Sequence, residues 1–181
     1  GEPWSVEDRA ELMRFGGEIK LNSYFYAPKD DPKHNSRWRE LYTQDELERL
    51  VKPLAEAGNA SKCQFVFALH PFMYNPITNS NYDETIKILK AKFEQVMGAG
   101  VRQIAVLADD AGNQGSDLYI KLMTELVDWV SSEEMQSKYP GLKTTIPFCP
   151  VVYMYNGASW MSNLPEEGPV VMTGGKIWGE V

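Results

Sequence analysis

Two adjacent aspartates, Asp109 and Asp110, end the apolar run Gln103–Asp110 (QIAVLADD). Carboxyls at the end of an apolar strand are partly desolvated, and a side-by-side pair favours one shared proton. One acid can then serve as general acid while its neighbour stays ionised. Successive side chains of a regular strand face opposite sides. Both acids can therefore address one ligand only if the strand breaks here, and Gly112 supplies a place for the break. Two other readings stay open. The pair could open a solvated loop, or it could hold a divalent cation, although hard cations need further oxygen ligands and no matching acidic motif follows. Lys29 stands at the mouth of another apolar run, where an ammonium can donate to a ligand hydroxyl. The surrounding Lys29-Asp30-Asp31, taken alone, reads as a surface charge run. Tyr153 ends a third run, and its hydroxyl is either a ligand contact or a satisfied core group. Thr173 lies at the end of a fourth.

The remaining reactive residue types are few. The two histidines, His34 and His70, have no zinc-type spacing to each other or to a cysteine, so a histidine-based metal site is not expected. Cys63 and Cys149 lie in or beside apolar runs and read as two buried thiols rather than a disulfide.

Asp109, Asp110, Lys29, Tyr153 and Thr173 all sit at or beside the ends of strand-length segments. These are Leu21–Pro28, Gln64–Pro71, Gln103–Asp110, Thr144–Tyr153 and Pro169–Gly175, each rich in β-branched or aromatic residues. The first four begin about forty residues apart, which fits one strand, loop and helix per unit. Near-continuous apolarity points to strands covered on both faces, as in a parallel sheet. Ser5 with Asp8 and Thr43 with Glu46 predict capping boxes at helix starts. Leu47, Leu50, Val51 and Leu54 form one apolar stripe, in a helix that Pro53 bends or shortens. Ile86, Leu89, Phe93, Val96 and Met97 form a second stripe, closed by Gly98 and Gly100. Ser116 is the expected cap of a third helix, with Leu118, Leu122, Met123, Leu126, Trp129 and Val130 facing inward.

Repeated strand–helix units leave an open doubly wound sheet or a (β/α)8 TIM barrel. No G-x-G-x-x-G is present, and the Gly112–Gly115 stretch follows two acids that would repel phosphate, so the barrel is preferred. A complete barrel takes roughly 250 residues, whereas the chain has 181 and shows five strands. The fold expected is α/β, a partial barrel whose first and last strands are missing from the chain. Exposed sheet edges could then make the fragment self-associate. The net charge of −7 argues against a nucleic-acid partner. The longest apolar stretches are about strand length, too short to span a membrane.

Taken together, these segments resemble glycoside hydrolase family 84, the β-N-acetylglucosaminidases that include O-GlcNAcases and bacterial enzymes labelled hyaluronidases. The likeness begins at Gly1-Glu2-Pro3-Trp4 and is strongest at Leu21–Pro32 (LNSYFYAPKDDP), with His34, Trp38, Arg39 and Glu40 in pattern. It resumes at Phe65–Ala68 with His70-Pro71, at Gly100-Val101-Arg102 and at the aspartate pair, and ends with Cys149-Pro150, Tyr153 and Thr173-Gly174. The resemblance implies retaining, substrate-assisted hydrolysis of terminal N-acetylglucosaminides, in which the substrate's own acetamido oxygen closes an oxazoline. Asp109 would then orient the acetamido N–H, and Asp110 would be the general acid and later the base. Lys29 would bind sugar hydroxyls, Tyr153 would position the acetamido group, and Thr173 would line the pocket. No cofactor or metal is implied, and N-acetylglucosamine-containing glycans or glycoproteins are the partners. A secreted or cell-surface bacterial protein is the implied setting. Three departures bear on this. Met172 stands where a Trp usually precedes the Thr-Gly pair, Pro150-Val151-Val152-Tyr153 replaces Pro-Thr-Glu-Tyr, and Ala111 replaces the commoner Ile. They keep open a non-catalytic carbohydrate-binding relative; a metal-dependent hydrolase using the acid pair is a further alternative.

Overall fold

The computed structural model describes residues 2–151 and 159–172. Its five strands are β1 (Ser23–Tyr26), β2 (Gln64–Leu69), β3 (Ile104–Leu107), β4 (Ile146–Cys149) and β5 (Pro169–Val171). They form one sheet in which every neighbouring pair is parallel and the order is β1-β2-β3-β4-β5. Each strand falls inside one of the five apolar runs. A doubly wound sheet reverses its strand order at a switch point. No reversal occurs among the described strands, so the sheet is part of a (β/α)8 barrel.

Two helices start where their caps predict. Helix α1 (Val6–Glu18) opens on a capping box in which the Ser5 hydroxyl accepts from Asp8 N–H at 3.0 Å and the Asp8 carboxylate accepts from Ser5 N–H at 3.2 Å. Thr43 and Glu46 repeat the device at α2 (Gln44–Glu46). From there a π-helical turn, Leu47–Val51, leads into α3 (Lys52–Ala60) without a break. Pro53 explains the π turn. It has no N–H for the carbonyl four residues back and its ring crowds that carbonyl, and the widened turn, with Lys52 N–H donating to Leu47 O, relieves the crowding. The proline thus widens the helix rather than shortening it. Helices α4 (Tyr82–Gly98), α5 (Ser116–Ser131) and α6 (Glu133–Lys138) complete the set. Ser116 does not cap α5. Gly115, at φ 91°, turns the chain into the helix, its N–H held by the Asn113 side chain at 2.9 Å, and Ser116 is the first helical residue. Between β4 and β5 the described residues hold only a 3-10 turn, Ser159–Asn163.

The two faces of the sheet differ. Tyr26, Phe65, Phe67, Leu69, Ile104, Val106, Ile146 and Phe148 belong to a large cluster shared with the apolar stripes of the helices. Val66, Ala68 and Ala105, with Ala27 and Leu107 beside them, form a separate small cluster on the opposite face. Large residues therefore point outward under the helices, and smaller ones point into the barrel interior, where space is short. Helix α3 comes so close to β2 that a Cβ on Gly58 would stand 2.5 Å from Phe65 Cβ, so only glycine fits. Cys63 is buried, Cys149 half-buried, and neither is in a disulfide.

Candidate active site

The strand parity that sorts the core also sorts the rim. Outward Val106 and inward Leu107 are followed by outward Ala108, which places Asp109 on the interior side. Its side chain is 29% exposed, and Oδ1 is buried without a hydrogen-bond donor among the described residues. A buried carboxylate oxygen is costly to leave unpaired, so an N–H or O–H from a ligand would complete it. The strand breaks at the next residue. Asp110 adopts φ 57°, a left-handed conformation that aspartate tolerates better than most residues, and its side chain is exposed. The break thus falls at the acid pair, as expected, but Asp110 itself makes it, and Gly112 has no positive φ.

His70, one residue past β2, has the same interior parity as Asp109. Its side chain is 5% exposed, and Nε2 lies 2.7 Å from the Asp109 carbonyl oxygen and 3.7 Å from Asp109 Oδ1. His34 lies beside it: His70 N–H donates to the His34 carbonyl at 3.0 Å, and His34 Nδ1 bonds the Ala68 carbonyl at 2.7 Å. Burial lowers the His34 pKa, opposed by its bond to Ala68; the charges of Asp31, His70 and Lys29 all reach the ring. Cys149, paired in register with Leu107, ends β4 on the same rim. Burial, and then the charges of Asp109 and Asp110, push its thiol up to about 11, which keeps it protonated. The carboxyl ends of β1 to β4 therefore converge on the acid pair, and among the described residues no group of His, Cys, Asp and Glu is arranged to hold a metal ion.

Lys29 is exposed, on a loop anchored from below by Asp31. Asp31 is not a surface charge. It is half-buried, and its carboxylate accepts from Tyr26 OH at 2.9 Å, Tyr42 OH at 2.6 Å and Lys33 N–H at 2.9 Å. Burial first, and then the Asp31 charge, raise both tyrosine pKa values. Asp30 faces Arg9, whose guanidinium also donates to Tyr24 OH at 3.0 Å. Lys33 makes a 2.5 Å ion pair with Glu46, and Lys33 with Thr43 holds that carboxyl down at about 2.

Lys92 of α4 seals this network underneath. It is fully buried, donates to the Glu40 carbonyl and lies 3.8 Å from the centroid of the Tyr42 ring. Burial pulls its ammonium down to about 7, opposed chiefly by Asp31. An unfolded lysine titrates near 10.4, so between these values the unfolded chain binds more protons and stability rises with pH. Wild type is expected to gain roughly 2–4 kcal/mol relative to Lys92→Met between about pH 7 and 9.5. Urea midpoints at the two pH values measure it, and parallel pH curves for the two proteins would contradict it.

Of the residues singled out from the sequence, Asp109, Asp110 and Lys29 are found on one rim. Tyr153 and Thr173 lie outside the described residues; β5 pairing reaches Met172, whose N–H donates to the Phe148 carbonyl at 2.7 Å. His70, His34, Asp31 and Cys149 are the neighbours to which sequence reasoning gave no role at the site. Parity counted from the strand centres would have found His70 and Cys149. Nothing short of the fold reveals that two tyrosines close on Asp31.

A parallel barrel segment with an acid pair at its carboxyl rim fits many chemistries, and similarity to known proteins narrows them to one family. The chain belongs to the β-N-acetylglucosaminidase family, whose profile matches residues 1–181. Protein O-GlcNAcase of Rattus norvegicus is 36% identical over 154 residues, 84% of this chain and 16% of that protein, and the Mus musculus protein matches equally. Among solved structures, CpGH84D superposes with a TM-score of 0.82 at 35% identity, covering 97% of this chain and 30% of that one. CpGH84B gives 0.79 at 32%, covering 96% and 31%. The chain thus spans about a sixth of the curated relatives' length and under a third of these structures.

Proposed function

We propose that the protein containing this chain is a retaining exo-β-N-acetylglucosaminidase that hydrolyses terminal N-acetylglucosaminides through an oxazoline. One observation carries the reading: a half-buried Asp109 with an unpaired Oδ1 on the interior face, followed by a left-handed Asp110 that turns the second carboxyl out to solvent. Two adjacent acids thereby acquire different surroundings and different tasks. Asp109 accepts the acetamido N–H, aligning the acetamido oxygen for attack on the anomeric carbon and balancing the positive charge that develops. Asp110 gives its proton to the departing glycosidic oxygen, then takes one from the water that opens the oxazoline. Substrate-assisted enzymes need no carboxylate nucleophile. Lys29 donates to sugar hydroxyls, Tyr153 positions the acetamido group and Thr173 lines its pocket, each by resemblance to the family.

The remaining strands of the barrel would pair onto the two edges of the sheet, at β1 and β5. The family resemblance also supports an exported bacterial enzyme acting on host glycans, of the kind labelled hyaluronidase; recovery of the activity from culture medium tests that setting.

In a polypeptide carrying the whole barrel, cleavage of an aryl N-acetyl-β-glucosaminide is expected, with inhibition by a thiazoline mimic of the oxazoline and no loss on adding a chelator. Indifference to the thiazoline would reject acetamido participation, and chelator sensitivity would favour a metal-dependent hydrolase. Met172 and Pro150-Val151-Val152-Tyr153, where the sequence departs from the family, keep open a non-catalytic relative; sugar binding without turnover would establish it.

A further inference from the structure

We infer that His70 is a positioning residue that locks the peptide between Asp109 and Asp110 and so sets where the proton donor stands. The inference rests on the proposed reaction and concerns a residue that the reaction as written does not use. A carbonyl oxygen only accepts, so the 2.7 Å contact between His70 Nε2 and the Asp109 carbonyl requires the proton on Nε2. That carbonyl belongs to the peptide joining the two acids. Its plane determines φ of Asp110, and hence whether the second carboxyl follows the strand or swings away from it. At φ 57° it swings away. Left-handed backbone at a residue with a side chain costs about 1–3 kcal/mol and persists only where neighbours enforce it.

The imidazole is well placed to enforce it. The His70 side chain is 5% exposed, the residue's backbone N–H donates to the His34 carbonyl at 3.0 Å, and His34 is fastened in turn to Ala68. The ring therefore reaches Asp109 from a fixed platform on β2. Its second nitrogen, Nδ1, is buried with no hydrogen-bond partner among the described residues. Packing alone would be served by an apolar residue, which would carry no unpaired nitrogen into the interior. The one hydrogen bond the ring does make goes to the peptide of the acid pair.

The test compares wild type, His70→Phe and His70→Gln in the whole-barrel enzyme. Phenylalanine keeps the ring and removes the donor; glutamine restores an N–H. Two aryl N-acetyl-β-glucosaminides are used, one with a leaving group that needs protonation and one that departs unaided. For H70F, kcat on the first substrate is expected to fall about 10²-fold, the scale of a misplacement near 1 Å. KM should hold, the second substrate should suffer far less, and H70Q should recover much of the loss. Nitrogen NMR of the wild-type ring should report the Nε2-protonated tautomer, a readout independent of activity. Equal losses on both substrates, falling in step with the melting temperature, would reduce His70 to a packing residue and overturn the inference, as would the Nδ1-protonated tautomer. Wild type that cleaves neither substrate would reject the proposed function and the positioning role with it, whereas normal wild type alongside an unimpaired H70F would reject the positioning role alone.

Discussion

Asp110→Asn, made in the whole-barrel enzyme, is expected to lower kcat on an aryl N-acetyl-β-glucosaminide about 10²–10⁴-fold, the range contributed by a positioned general acid. KM should change little. The choice of asparagine follows from the backbone. Asp110 sits at φ 57°, where asparagine is nearly as comfortable as aspartate and alanine is not. An alanine variant would combine lost chemistry with a strained turn; asparagine keeps size and conformation and removes only the transferable proton. The loss should shrink as the leaving group improves, because a better leaving group needs less protonation. Steady-state kinetics across a series of leaving groups measures this. Full activity of the asparagine variant on the poorest leaving group would remove Asp110 from the mechanism.

Phe67→Ala is expected to be the most damaging of the core substitutions, costing about 3–5 kcal/mol. Phe67 is fully buried at the middle of β2. It stacks on Tyr26 with ring centroids 5.7 Å apart and meets Tyr42 edge-on at 6.1 Å. Nothing nearby can collapse into the gap without moving one of those tyrosines. Both are needed where they stand, because their hydroxyls hold Asp31. The damage should therefore reach the rim: besides a lower urea midpoint, KM should rise as the Lys29 loop loosens. A midpoint shifted by less than about 1 kcal/mol would contradict the packing argument. A full stability loss with unchanged KM would instead separate the tyrosine anchors from the Lys29 loop.

The sheet was the most legible part of the molecule. Five apolar runs became five strands because interior parallel strands, covered on both faces, have no polar alternation to disguise them. The capping boxes at Ser5 and Thr43 were equally plain, since each is a local bond between residues three apart. What escaped depended on backbone conformation or on distant contacts. Glycine is the usual sign of left-handed backbone, so the break at the acid pair was ascribed to Gly112, whereas Asp110 itself takes the positive φ. Ser116 had the right type for a cap, yet the turn at Gly115 moved the helix start by one residue. Asp31 looked like part of a charged surface because Tyr42, eleven residues away, folds back onto it only in three dimensions. His70 looked inert because its partner is a main-chain carbonyl thirty-nine residues on, and no side-chain pattern records such a bond.

That the strands lie in the sheet in the order in which they occur in the chain also bears on how the protein comes to be built. Each new strand pairs with the one synthesised just before it, so assembly can advance from the amino terminus without waiting for distant segments. Sequence separation within the described sheet never grows beyond one strand–helix unit. The exception in a closed barrel is the seam, where the first strand must find the last across the whole length of the domain. Growth should be quick and ring closure slow, and until the seam is made the unpaired edges of the growing sheet are the surfaces most open to mispairing.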